Sequence, residues 1–96
     1  MRVMLKATMN TDKTNEVIES GKLPKIVQDT MEQIKPEAAY FGAHNGRRTC
    51  YMVFDMQDSS QMPSIAEPFF SQMGAEVEFL PVMNPEDLQK GLANLR

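Results

Sequence analysis

Residues 37–56 read EAAYFGAHNGRRTCYMVFDM, two apolar-rich runs divided by Asn45-Gly46. Asn-Gly between such runs is the strongest short-range hairpin signal, because both central residues of a type I′ turn need positive φ. Glycine meets that need at no steric cost, and asparagine tolerates it. A two-residue loop then sets the register: His44 faces Arg47, Gly42 faces Thr49, Tyr40 faces Tyr51 and Ala38 faces Val53. Phe41 lies opposite Cys50, and Ala39 opposite Met52. Side chains alternate across a strand, so Tyr40, His44, Arg47, Thr49, Tyr51, Val53 and Asp55 share one face. The other carries Ala39, Phe41, Ala43, Cys50, Met52, Phe54 and Met56. That second face is apolar and is expected to pack against helices. The first mixes rings with polar groups and is expected to meet water, a ligand or a partner subunit.

The flanking sequence supplies the rest of a small α+β domain. Val3, Leu5, Ala7 and Met9 alternate with Arg2, Met4, Lys6 and Thr8, as in a strand with one apolar side. Asn10-Thr11-Asp12 caps a helix that Ser20-Gly21 stops. A second helical piece starts with Pro24 near its first turn and places Leu23, Ile26, Val27, Met31 and Ile34 on one face, ending at Pro36. After the hairpin, Asp58-Ser59-Ser60-Gln61 resembles a capping box. It leads into a stripe of Met62, Ile65, Ala66, Phe69, Phe70 and Met73. Pro68 is expected to kink that helix and Gly74 to close it. Val77, Phe79, Pro81 and Met83 alternate with Glu76, Glu78, Leu80 and Val82 as a fourth strand, at an edge or irregular at Pro81, which cannot donate a ladder bond. Asn84-Pro85-Glu86-Asp87 starts a last helix with Leu88, Leu92 and Leu95 on its apolar side. The order is β-α-β-β-α-β plus a terminal helix, the split-βαβ pattern, with residues 1–96 as a single domain.

Composition narrows the classes. The net charge is −3 and no basic stretch exceeds Arg47-Arg48, which argues against nucleic acid as a partner. The lone cysteine excludes an internal disulfide and points to a reducing compartment. The start of the chain is too short and interrupted for a signal peptide, and no window approaches the roughly 20 apolar residues of a membrane helix. The expectation is a soluble, cytoplasmic protein without a membrane partner. Nine methionines suit an adaptable interior or pocket lining.

The element order, the helix interrupted at Ser20-Gly21-Lys22-Leu23-Pro24, and the run Lys35-Pro36-Glu37-Ala38-Ala39-Tyr40-Phe41 resemble a small family of uncharacterised bacterial proteins. The resemblance covers nearly the whole chain and implies a ferredoxin-like fold of the dimeric α/β-barrel type, with an antiparallel four-stranded sheet. In that superfamily two open sheet faces meet across a dyad. Its members include cofactor-independent monooxygenases, small isomerases, muconolactone-type enzymes and ligand-binding regulator domains, so the fold alone selects no activity.

The candidate chemistry sits on the open face. Lys6 and Thr8 come from the first strand, Tyr40 and His44 from the second, Tyr51 and Asp55 from the third, and Glu78 from the fourth. Lys6 is expected near Asp55 or Glu78, with His44 as the acid/base candidate and Lys6, Tyr40, Tyr51 and Asp55 as ligand contacts. The plainer reading makes Tyr40–Tyr51 a cross-strand pair and Lys6 a neutralising charge at a dimer interface. In folds of the resembled type a cavity between sheet and helices holds the substrate, which adds Glu67 and Phe70, with Met62, Phe69 and Met73, as possible lining. A core role for that stripe is the simpler account. Arg47 and Arg48 beside the turn suit an anionic ligand or plain solvation. His44 has no second histidine or nearby cysteine, so no metal site is expected, and no cofactor. Cys50 falls on the helix-facing side without a base, as a buried small apolar group. The expected function is a homodimeric small-molecule-binding or structural module, pairing with itself through the open face. The alternative is a cofactor-free monooxygenase- or isomerase-like enzyme acting on a small organic substrate, with His44 as base.

Overall fold

Asn45 and Gly46 take φ of 53° and 74°, as the reversal requires, and the two strands they join pair from His44↔Arg47 to Ala38↔Val53. The computed structural model describes residues 1–95. In chain order it forms β1 (Arg2–Thr8), α1 (Thr11–Glu19), α2 (Leu23–Ile34), β2 (Ala38–His44) and β3 (Arg47–Asp55). A 3-10 turn (Ser59–Gln61), α3 (Met62–Met73), β4 (Glu76–Pro81) and α4 (Pro85–Ala93) follow. The strands make one antiparallel sheet in the order β2-β3-β1-β4. This is an α+β ferredoxin-like arrangement, with β1 central between β3 and β4 and Pro81 on an edge strand.

The core lies between one face of this sheet and α1–α3. Val3, Leu5, Ala7 and Met9 from β1 and its end meet Cys50, Met52, Phe54 and Met56, with Ile26, Ile34, Ile65, Phe69 and Met73 above them. Full burial of a side chain such as Leu5, Met52 or Phe54 contributes about 1.5–3 kcal/mol. The helix ends follow the local signals. The Asn10 side chain accepts from the Lys13 N–H at 3.0 Å, and Asp58 and Asn84 each complete a capping box. Pro36 disfavours the right-handed helical conformation for Lys35, which turns left-handed at φ 46° and ends α2.

The structure departs from the sequence pattern in four places, in α2, β2 and α3 and along α4. In α2 the buried positions are Ile26, Thr30 and Ile34, while Met31 is exposed. Thr30 is tolerated inside because its hydroxyl donates to the Ile26 carbonyl at 3.0 Å. Alternation puts Phe41 on the helix-facing side, yet it is 56% exposed, since β2 is the outermost strand and the helical layer stops short of it. Phe70 is exposed beside the buried Phe69, and α3 runs through Pro68 as one helix. Finally, Leu88, Leu92 and Leu95 are all exposed: α4 has no buried residue. It is tethered by an ion pair from Arg2 to Asp87, while Arg2 also pairs with Glu37 ahead of β2 at 2.5 Å. The molecule measures 55 × 27 × 18 Å with a radius of gyration of 15.1 Å, against about 12.5 Å for a compact chain of this length.

Gly74 joins α3 to β4 in the left-handed region, at φ 53°, and a Cβ there would meet Lys13 Cδ at 3.1 Å and Asn10 Cβ at 3.2 Å. Gly74→Ala is therefore expected to cost about 1–2 kcal/mol from backbone conformation alone, with some added crowding, measurable as a lower urea midpoint at unchanged slope.

Candidate functional site

Two surfaces have the shape of a site, one on each side of the sheet. On the open side the alternation of β1, β3 and β4 gathers Lys6, Thr8, Arg47, Glu76 and Glu78. They line, with the His44 turn, a polar groove of about 410 Å³. Lys6 Nζ stands 6.0 Å above the centre of the Tyr51 ring and 4.0 Å from Glu78 Oε2. Arg47 donates through Nε to the Met9 carbonyl at 3.1 Å and pairs with Glu76 at 3.6 Å. Tyr40 lies opposite Tyr51 and is 70% exposed.

The expected open-face residues are only partly brought together. Lys6, Tyr40 and Tyr51 are neighbours, and Lys6 meets Glu78 rather than Asp55. Asp55 closes the far end of β3, where it accepts from the N-terminal ammonium at 2.7 Å and from Gln57 at 2.8 Å. The ammonium hydrogen bond, followed by that from Gln57, holds its carboxyl below the usual carboxylate range. His44 pairs with Arg47 at the turn, four residues along β2 from Tyr40. At about 3.4 Å per residue that is roughly 14 Å, too far for His44 and the two tyrosines of one chain to grip one small substrate. Glu67 and Phe70 are exposed on α3, on the helical side of the sheet, and stand apart from all of these.

The second surface lies under the helices, toward the β2 edge. Here Leu23 and Val27 of α2, Thr14 of α1, Phe69 of α3 and Phe41, Cys50 and Met52 of the hairpin surround a cavity of about 210 Å³. Its lining is almost wholly apolar, and among the described residues Arg48 is the only charged one at it. The Thr14 hydroxyl is already committed, donating to the Asn10 carbonyl at 2.6 Å. A closed dry void of that size would cost up to about 5 kcal/mol, at roughly 24 cal/mol per Å³; this one opens beside the exposed Phe41, which lowers the penalty. Of the stripe Met62, Glu67, Phe69, Phe70 and Met73, only Phe69 reaches it. Helical spacing marks Leu23 and Val27 simply as core, and Thr14, a polar residue early in α1, carries no signal of its own. Arg48 was visible as a turn cation, without any sign that it stands at an opening.

Cys50 is 1% exposed, and burial pushes its thiol up to about 11 from an ordinary value of 9.0. Among the described residues no cluster of three His, Cys, Asp or Glu side chains is placed to hold a metal ion. No helix among them is long and apolar enough to cross a membrane.

The chain belongs to the family described as Domain of unknown function (DUF3303), whose model matches residues 1–96. Comparison with curated proteins finds no match.

The buried thiol carries a pH signature of definite sign. An unfolded chain ionises Cys50 near 9.0 while the folded chain holds its proton to about 11, so stability present below pH 9 is lost as pH rises toward 11. The loss attributable to Cys50 is about 2–3 kcal/mol. Denaturant titrations of the wild type and Cys50→Ala at pH 8 and pH 10.5 should show a markedly flatter dependence in the variant.

Proposed function

We propose that this chain works as a homodimer that binds a small organic molecule, with the two open sheet faces apposed about a twofold axis. The observation that carries this reading is the apolar surface a single chain leaves bare. Met4, Tyr51 and Val53 are only half-covered on the open face, and Tyr40 and Leu80 are exposed. Met83 and Leu88 line an apolar depression where β4 gives way to α4, and Leu92 and Leu95 are exposed beyond it. So much bare apolar surface on a sheet and the following helix marks an interaction surface. The helix itself needs a partner, since a nine-residue helix without a buried face is marginal in water. A second copy supplies one, its own sheet receiving α4 while it returns the same contact, as a twofold interface demands.

In the proposed dimer Lys6, Tyr40 and Tyr51 lie at the seam, where Lys6 and Glu78 neutralise each other and the tyrosine hydroxyls are available to a polar ligand. Asp55 sits at the rim, and Glu67 and Phe70 stay outside. The competing reading, a cofactor-free monooxygenase- or isomerase-like enzyme with His44 as base, would need His44 beside the tyrosines. The strand register keeps them roughly 14 Å apart within a chain.

Sedimentation equilibrium at micromolar concentration should give a mass near twice the 10.9 kDa of one chain; a mass of one chain would overturn the assembly. Leu92→Lys changes an exposed residue in the last turn of α4, where a cation suits the helix dipole. It should leave the isolated fold intact yet give monomers. Tyr51→Asp should act the same way, because dimerisation would bury an unpaired charge.

A further inference from the structure

We propose that the cavity between α1, α2 and the β2 edge is a binding site for a small organic carboxylate, its apolar body among the helices and its carboxylate on Arg48. Native interiors contain few voids larger than a water molecule, and this one holds about 210 Å³ with an opening to solvent. An apolar cavity of about 150 Å³ already accommodates a benzene ring. The space here therefore fits one ring on a two- or three-atom tether, or an acyl chain of similar bulk.

The lining decides the chemistry. Met9, Met52, Val27, Leu23 and Phe69 offer dispersion contacts and no hydrogen bonds, and the two thioethers adapt readily to a guest. The Thr14 hydroxyl proton is committed to Asn10, and the Cys50 thiol stays neutral well above physiological pH. A polar guest would lose its hydration inside without compensation.

The mouth reverses that preference. Arg48 comes from the helix-facing side of β3 and donates from Nη2 to the Asn15 side-chain oxygen at 2.8 Å. That single bond orients the guanidinium and leaves most of its five donors free. Among the described residues no carboxylate lies within ion-pair distance of Arg48, whereas Arg2 and Arg47 both have one. An oriented, unneutralised guanidinium at the rim of an apolar cavity matches a guest with one apolar end and one planar anionic end.

This inference goes beyond the proposed homodimer: the cavity lies on the opposite side of the sheet from the seam, is built within one chain and stands or falls separately. Titration calorimetry of the full chain with 3-phenylpropionate and with its neutral amide tests it. One-site binding of the acid, about tenfold tighter than the amide, is expected from the charge-assisted contact. Arg48→Gln should reduce the acid to the affinity of the amide and leave the amide unchanged. Val27→Phe fills the cavity and should abolish both. Methyl resonances report independently of any variant: the phenyl ring should shift Met9 and Met52 and leave Met4 and Met83 in place. No binding of the acid at millimolar concentration, equal affinity for acid and amide, or shifts at Met4 and Met83 instead would each overturn the site. Leu92→Lys should bind the acid as the wild type does. A dimer that ignores the acid would remove this site alone, and a wild-type monomer that binds it would remove the dimer alone.

Discussion

The antiparallel pairing of β3 with the central strand β1 is the constraint on which the remaining structure depends. From Arg2↔Asp55 to Thr8↔Thr49 the register is uninterrupted, so every second residue of both strands turns to the same side. Val3, Leu5 and Ala7 thereby share a layer with Cys50, Met52 and Phe54, and the three helices have one continuous apolar floor. A slip of one residue would exchange this floor for Lys6, Thr49 and Tyr51, and burying a lysine there without a partner costs more than this small core returns.

The same alternation makes the molecule lopsided. One face of the sheet is covered by α1, α2 and α3, while the other carries no helix at all. α4 extends beyond the sheet with its leucines in solvent instead of folding back over it. Its anchor is polar, since Arg2 reaches both Glu37 and Asp87, and Asp87 also accepts from the Asn84 N–H that it caps. That backbone hydrogen bond, with the nearby Arg2 guanidinium, holds the Asp87 carboxyl below its ordinary range. Exposed ion pairs of this kind contribute little stability individually, so the direction of α4 is set by its capping geometry rather than by buried area. The elongated chain thus leaves one face of its sheet and the leucines of α4 bare, the surface that the proposed self-association would cover.

Coverage on the helical side is also uneven. α2 and α3 close over the middle of the sheet, but β2 lies outermost and only Ala39 of its helix-facing residues is even half-buried. Phe41 and Ala43 consequently remain exposed, and the space between Phe41 and α2 is the small apolar cavity with Arg48 at its rim. The two candidate surfaces thus have separate origins. The open-face groove arises from strand alternation, and the cavity from the width of the helical layer relative to the sheet.

Hairpin register, helix caps and the division of β3 into two faces were legible in the sequence, because each rests on local chemistry. Asn45-Gly46 sets a turn, alternation sorts Tyr51 from Met52, and Asn10, Asp58 and Asn84 satisfy helix N–H groups within a few residues of themselves. The partner of Lys6, the exposure of Phe41, Phe70 and Leu92, and the cavity under α2 were decided only in three dimensions. Those features depend on where one element ends over another, and periodicity assigns a side chain to a face without saying whether anything covers it.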